Sequence, residues 1–119
     1  NVTLSGHMTT PALIKNMKNS KIFVSTSHEE GWGISICEAI ACGLTAHAYS
    51  LPAFTKFAKF INQVDKFDER ALANKILNSL RKIESSKNKN IAEITRLKDF
   101  EDMVNWDRIA ANEAKIFSQ

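Results

Sequence analysis

The stretch SHEEGWGISICEAIACG (Ser27–Gly43) decides the fold, because it joins a predicted strand to a predicted helix through a glycine-rich turn. Two of the four glycines in the chain, Gly31 and Gly33, lie in this turn with a tryptophan between them. The apolar run that follows predicts a helix beginning near Gly33 or Ile34 and ending at Gly43, in the position after a helix that glycine favours. A strand, a glycine-rich turn and a helix in this order are typical of α/β proteins that bind a ligand at the turn.

The segments on either side extend this alternation of strands and helices. Three short runs have the apolar, β-branched or alternating pattern of strands: VTLS (Val2–Ser5), KIFVSTS (Lys21–Ser27) and LTAHAYS (Leu44–Ser50). Between the first two runs, TTPALIKNMKNS predicts a helix that Thr9 or Thr10 caps and that has Pro11 in its first turn. Residues 1–50 therefore predict a βαβαβ unit, which implies an α/β fold with a Rossmann-like parallel sheet flanked by helices.

The second part of the chain, residues 51–119, is predicted to be mainly helical and to close a single domain that covers residues 1–119. Phenylalanines 54, 57 and 60 share one helical face, Ile61–Val64 fits a short additional strand, and Asp68 caps the next helix. A polar linker over 84–90 then precedes two final helices, at roughly 91–103 and 106–117, and Trp106 opens the second of them.

Composition excludes several protein classes. The chain has 119 residues, 44% of them hydrophobic and 24% charged, which suits one globular domain with its own core. No apolar run approaches the roughly 20 residues that cross a bilayer. The net charge of +3 arises entirely from residues beyond position 50. This basic region is interpreted either as a solvated lysine-rich face or as a surface for peripheral contact with an anionic membrane. No interleaving of aromatic and basic residues argues for a nucleic-acid platform, so no nucleic-acid partner is predicted.

The cysteines and histidines predict structural roles. Cys37 and Cys42 lie too close in one helix to form a useful disulfide, so we expect buried free thiols, as in a reducing cytosol. No spacing of Cys and His fits a metal site. His47 lies in an apolar strand and is predicted to be a core histidine with its hydrogen bonds satisfied, whereas His28 is predicted to be exposed in a loop.

The turn and its glutamates suit a nucleotide-like ligand. A helix N-terminus offers unpaired backbone N–H groups and about half a positive charge, which a diphosphate complements. Side chains on a helix tilt toward its N-terminus, so Glu38 points back to the same ligand, where it can accept hydrogen bonds from ribose hydroxyls. Glu30 precedes the helix, where a sugar would lie. The alternative is that the acidic residues before the helix serve only its dipole, and that Glu38 is a carboxylate satisfied by a partner or exposed at an edge.

The same residues carry a resemblance to a known family. SHEEGWGISICEAIACG resembles the signature of retaining GT-B glycosyltransferases, the glycosyltransferase family 4 or group 1. Seven residues separate Glu30 from Glu38, as in the Glu-x7-Glu motif of that family. The segments NVTLSGHM, KIFVSTS and NWDRIAANEAKIF are similar to other parts of its C-terminal domain, so the resemblance covers nearly the whole chain.

The resemblance implies a function and a set of site residues. The family transfers a sugar from a nucleoside-diphosphate-sugar donor (UDP, GDP or ADP) with retention of configuration and without a metal or other cofactor. It implies that Glu30 contacts the donor sugar at the reaction centre and is the catalytic residue. It further implies a donor-binding set, comprising Glu38 at the ribose, Gly31, Trp32, Gly33 and Ile34 at the diphosphate and sugar, and Gly6, His7 and Met8 around the base.

Departures from the family pattern limit what the chain does alone. An Arg and a Lys that the family supplies to the diphosphate, and the N-terminal domain that binds a glycan or lipid-linked acceptor, have no counterpart here. The chain thus looks like part of a longer cytoplasmic enzyme, in peripheral contact with the inner face of a membrane. SLPAF stands where the family has a Gly-Gly-x-x-Glu loop. The alternative is a non-catalytic module that binds nucleotide sugars or a protein partner.

Overall fold

The computed structural model describes residues 2–85, 91–105 and 107 of the chain. In chain order the elements are α1 (Thr10–Lys18), β1 (Ile22–Ser25), α2 (Ile34–Ala41), β2 (Thr45–Tyr49), a 3-10 helix (Pro52–Phe60), β3 (Ile61–Val64), α3 (Glu69–Ser85) and α4 (Ile91–Val104). The predicted linker beyond Ser85 and the predicted last helix with Trp106 lie outside the described residues. Within those residues, no helix is both long and apolar enough to cross a membrane.

The three strands form one parallel sheet in the order β1-β2-β3. Val24 on β1 pairs with His47 on β2, which in turn pairs with Asn62 on β3. Because the strands are parallel, their carboxyl ends and the loops that follow them lie at one edge of the sheet. The predicted α/β class with a parallel sheet flanked by helices is confirmed.

The prediction of a strand over Val2–Ser5 is wrong. These residues form no regular structure, and the side chains of Val2 and Leu4 are 92% and 94% exposed. An alternating sequence forms a strand only where a neighbouring strand makes hydrogen bonds with its N–H and C=O groups. No strand in the described part of the chain pairs with these residues. The three strands of the predicted βαβαβ unit therefore do not all lie within residues 1–50. The third strand of the sheet is β3, which the sequence predicted as an additional strand.

Helices cover both faces of the sheet, as a parallel sheet requires. Ala46 and Ala48 of β2 face a core built from α2, the 3-10 helix and α4. Tyr49 of β2 and Val64 of β3 belong to a separate cluster with Leu72 of α3 on the opposite face. The glycine-rich turn connects β1 to α2 and therefore belongs to the face that also carries the 3-10 helix.

The segment after β2 is a 3-10 helix, a tighter form than sequence periodicity alone distinguishes. A 3-10 helix has three residues per turn, so Phe54, Phe57 and Phe60 stand directly above one another, and all three are buried. The prediction that they share a core face is confirmed. Asp68 caps α3 as predicted, since its Oδ1 accepts a hydrogen bond of 2.8 Å from the N–H of Ala71.

Candidate functional site

The candidate site is the turn between β1 and α2, which we call the motif loop (residues 26–33). It leaves the carboxyl end of β1 and enters α2 at Ile34, where helix initiation was predicted. Gly43 has a φ of +84° just after the helix, which confirms the predicted helix end. Open parallel sheets bind their ligands at this edge.

Gly33 is required by both its backbone and its surroundings. It is the N-cap of α2 with a φ of +84°, a conformation that side-chain-bearing residues rarely adopt. A Cβ placed on it would lie 2.6 Å from Cε1 of Phe54 and 3.2 Å from Cγ2 of Ile36. By contrast, a Cβ on Gly31 would meet no heavy atom within 4 Å. Gly33 thus lets the loop pack against the 3-10 helix, while Gly31 leaves the backbone open to a ligand.

The N-terminus of α2 keeps its positive potential. Within the described residues no side chain caps it, and no acidic residue occupies its first turn. Glu38 is the fifth residue of the helix, and its side chain is exposed. Because side chains on a helix lean toward its N-terminus, the Glu38 side chain is expected to extend toward the first turn of α2. A helix end without a side-chain cap has the free N–H groups and the partial positive charge that suit an anion, and Glu38 lies one turn from it.

The other predicted residues of the motif loop are placed as follows. Glu30 is half-buried, Trp32 is 41% exposed, and Ile34 is an exposed first residue of α2. The indole of Trp32 meets the ring of Phe57 edge to face, with 5.1 Å between the ring centroids. The loop, Ile34 and Glu38 are therefore together at one edge, as the sequence predicted.

The predicted base-binding residues lie in the irregular segment before α1. Gly6 has a φ of +61° and open space around it, and His7 is exposed. The Sδ atom of Met8 accepts a hydrogen bond of 3.2 Å from Nδ2 of Asn16. These contacts are local to the segment and α1, so the role of Gly6, His7 and Met8 stays a prediction.

Three aromatic contacts of the motif loop, two made by His28 and one by Trp32, were missed by the sequence reasoning. The exposed ring of His28 packs on Phe67 with 4.5 Å between centroids, and on Tyr49 at 5.9 Å. Phe67 has a φ of 70° although it is not a glycine. No local sequence signal predicts the positive φ of Phe67. The spacing of Phe54, Phe57 and Phe60 predicts their shared buried face, but it does not predict that Phe57 contacts Trp32.

A groove of about 510 Å³ opens on the opposite face of the sheet, beside α3. Thr26 and His28 at the start of the motif loop line it, together with Tyr49 and Glu69. None of the predicted donor-binding residues lines this groove. The groove and the N-terminus of α2 are therefore separate features of the same sheet edge.

Buried titratable groups near the site are poor candidates for chemistry. Burial, and secondarily the charge of Glu38, raise the pKa of the Cys37 thiol to about 11, so it is protonated at neutral pH. Cys37 is buried and Cys42 half-buried, and both are free thiols. His47 is 0% exposed, as expected for a core histidine, and burial followed by the charge of Lys75 lowers its pKa. Among the described residues neither of its ring nitrogens has a hydrogen-bond partner, so the expectation of a satisfied histidine is wrong.

The buried side of α2 begins only at the third residue of the helix. Ile36, Cys37 and Ile40 are buried, while Ile34 is 66% exposed. The helix therefore starts with two exposed residues, Ile34 and Ser35, next to the buried Gly33. Within the described part of the chain, no three side chains of metal-binding type come together to hold an ion.

Comparison with models of known protein families matches residues 1–98 to a family described as Glycosyl transferases group 1. No curated protein and no solved structure matches the chain significantly. The match includes β1, the motif loop, α2, both glutamates of the Glu-x7-Glu motif and the rest of the sheet. The chain belongs to the group 1 glycosyl transferases.

Proposed function

We propose that this chain is the donor-binding part of a retaining glycosyltransferase, which transfers a sugar from a nucleoside-diphosphate-sugar donor to an acceptor. The observation that carries the proposal is the uncapped N-terminus of α2, with Glu38 one turn further along the helix. Membership of the group 1 glycosyl transferases supports it, because the family implies a nucleotide-sugar donor.

The diphosphate binds at the first turn of α2. Its charge is complemented by the free amide groups around Gly33 and Ile34 and by the helix dipole. Negative charge grows on the diphosphate as the bond to the sugar breaks, so donors oriented in advance at the helix end stabilise the transition state more than the ground state. No metal ion is needed for this role.

The two glutamates divide the rest of the donor between them. Glu38 accepts hydrogen bonds from the vicinal hydroxyls of the ribose, a task suited to an exposed carboxylate beside the helix end. Glu30 lies in the motif loop before the helix and contacts the donor sugar at the reaction centre. Gly6, His7 and Met8 frame the base, mostly through main-chain atoms.

The acceptor binds outside this set of residues. We propose a glycan or a lipid-linked acceptor that another domain presents to the donor sugar. The enzyme acts in the cytoplasm, and its net-positive segments, the 3-10 helix and α3, contact the inner face of a membrane. The positive charge beyond residue 50 supports this contact.

Titration of the ¹⁵N-labelled chain with UDP, GDP and ADP tests donor binding. We expect amide shifts confined to residues 6–8 and 28–38, strongest for one of the three bases. If Glu38 binds the ribose, removal of the 2′-hydroxyl from the preferred nucleotide weakens binding in the natural chain and has little further effect in Glu38→Ala. Absence of binding by all three nucleotides, in this chain and in the longest protein that contains it, would overturn the proposal.

Two substitutions separate the roles of the glutamates. Glu38→Ala weakens donor binding by about 1–3 kcal/mol through lost hydrogen bonds, whereas Glu101→Ala, which removes an exposed glutamate on α4, leaves it unchanged. Glu30→Gln lowers turnover in the complete enzyme more than it lowers donor affinity. Equal losses of affinity from both substitutions, with turnover otherwise intact, would contradict the assignment.

A further inference from the structure

The motif loop is held by aromatic side chains on both sides of its carboxylates. Glu29 and Glu30 stand between His28 and Trp32 in the sequence. The rings of these two flanking residues pack on Phe67 and Phe57, which come from two different segments of the chain. The backbone that carries Glu30 is therefore attached at each end to a separate part of the fold.

The contact at the end of the loop comes from the 3-10 helix. Phe57 is buried, and its ring meets the indole of Trp32 edge to face at 5.1 Å. One turn earlier, the ring of Phe54 occupies the space that any side chain at Gly33 would need. The rings of Phe54 and Phe57 together set the distance between the motif loop and the 3-10 helix. They thereby set the position of the amide groups of Gly33 and Ile34.

The contact at the start of the loop comes from the segment after β3. Phe67 has a φ of 70°, which costs a residue other than glycine about 1–2 kcal/mol. Its ring is 63% exposed, so burial of the ring does not account for the strain. The ring instead packs on His28 at 4.5 Å, with the ammonium group of Lys66 5.2 Å from its centroid. Strained backbone of this kind often marks positions that hold functional groups.

We propose that Phe57 and Phe67 are positioning residues for the transfer reaction, which hold Trp32 and His28 and thereby fix the backbone of Glu30 and the N-terminus of α2. This inference rests on the proposed function, because the groups being positioned are the ones proposed to bind the donor. It adds two residues outside the Glu-x7-Glu motif. They occupy segments to which the sequence alone assigned only structural roles.

The chain offers a matched control within the same 3-10 helix. Phe60 belongs to the same buried row as Phe57, but its ring packs on Phe100 of α4 at 5.0 Å rather than on Trp32. Phe57→Leu and Phe60→Leu therefore remove similar buried area. Only the first removes a ring contact of the motif loop. A merely structural role predicts equal effects of the two substitutions on donor binding.

Phe67 offers a variant that separates contact from strain. Glycine adopts a φ of 70° without cost, so Phe67→Gly removes the ring while it relieves the backbone. Phe67→Tyr keeps a ring on His28 at an exposed position and serves as the conservative variant. If Phe57→Leu fails to fold, the Phe67 pair still tests the inference.

The test measures the ¹H–¹⁵N signals of Gly31, Gly33 and the Trp32 indole, together with nucleotide affinity, in each variant. We expect Phe57→Leu and Phe67→Gly to move these signals and to weaken binding of the preferred nucleotide about threefold to tenfold, as loss of one aromatic pair predicts. Phe60→Leu and Phe67→Tyr should leave both readouts near those of the natural chain. Equal changes in Phe57→Leu and Phe60→Leu, or unchanged loop signals in Phe67→Gly, would overturn the inference.

The two proposals fail in different ways. If neither the natural chain nor the longest protein that contains it binds any of the three nucleotides, the proposed donor site fails, while the loop signals without ligand still decide whether Phe57 and Phe67 position the loop. If the natural chain binds a nucleotide and only the comparison of variants fails, the donor site stands and the positioning role falls.

Discussion

Replacement of Gly33 with alanine tests the packing of the motif loop against the 3-10 helix. The new methyl group would have to accept a φ of +84°, which costs about 1–2 kcal/mol for an L-residue. It would also stand 2.6 Å from Cε1 of Phe54, a contact closer than real Cβ atoms make. Relief of such overpacking costs about 1–3 kcal/mol more, so we expect a total loss of about 2–5 kcal/mol.

Gly31→Ala is the matched control for this change. It places the same methyl group two residues earlier in the loop, where no heavy atom lies within 4 Å. Its backbone does not have a positive φ, so we expect a change within about 0.5 kcal/mol. Urea denaturation of both variants, followed by circular dichroism, gives the two free energies of unfolding on one scale.

A second substitution separates the steric part of the loss from the backbone part. Phe54→Leu removes the ring atom that the new methyl group would meet, so the double variant Gly33→Ala, Phe54→Leu should be more stable than the sum of the single losses predicts. The backbone cost at residue 33 remains. Equal stability of Gly33→Ala and Gly31→Ala, or strict additivity with Phe54→Leu, would refute the reasoning.

Two further predictions concern side chains outside the motif loop. Burial lowers the pKa of His47 in the folded state, so the folded chain binds a proton less readily than the unfolded chain. The contribution of His47 to the free energy of unfolding is therefore complete above the unfolded pKa of about 6.5. Below that pH it falls by about 1.4 kcal/mol per pH unit until the folded pKa is reached. Urea titrations between pH 5 and pH 8 should show this slope in the natural chain but not in His47→Val, and a slope that survives the substitution would assign it to other groups. Asp68→Ala should lower the free energy of unfolding by about 0.5–2 kcal/mol, because the N–H of Ala71 loses its capping partner. Asp65→Ala replaces an exposed side chain and should change stability little, and thermal melting compares the two variants. Equal melting temperatures of the two variants would show that the cap contributes nothing.

Much of the site was predictable because its signals are local. A β-branched run, two glycines and an apolar run that closes on Gly43 specify a strand, a turn and a helix through backbone preferences and side-chain periodicity. The N-terminus of α2 and the place of Glu38 on it follow from helix geometry alone. The cap at Asp68 was equally readable, since capping depends on a side chain and an amide three residues apart.

Contacts between distant segments were decided only by the tertiary structure. Val2–Ser5 has the pattern of a strand but has no neighbouring strand among the residues that the structure describes, and a sequence pattern cannot supply the partner for its hydrogen bonds. The sequence alone therefore determined the sheet's parallel α/β character, the start of α2 after the glycine-rich turn and the carboxylates near it. The tertiary structure decided that Phe57 contacts Trp32 and that Phe67, with its strained backbone, lies beside His28. Both contacts depend on how β2 and β3 bring the segments that follow them to the same edge of the sheet. Packing is a property of the assembled chain rather than of any one stretch.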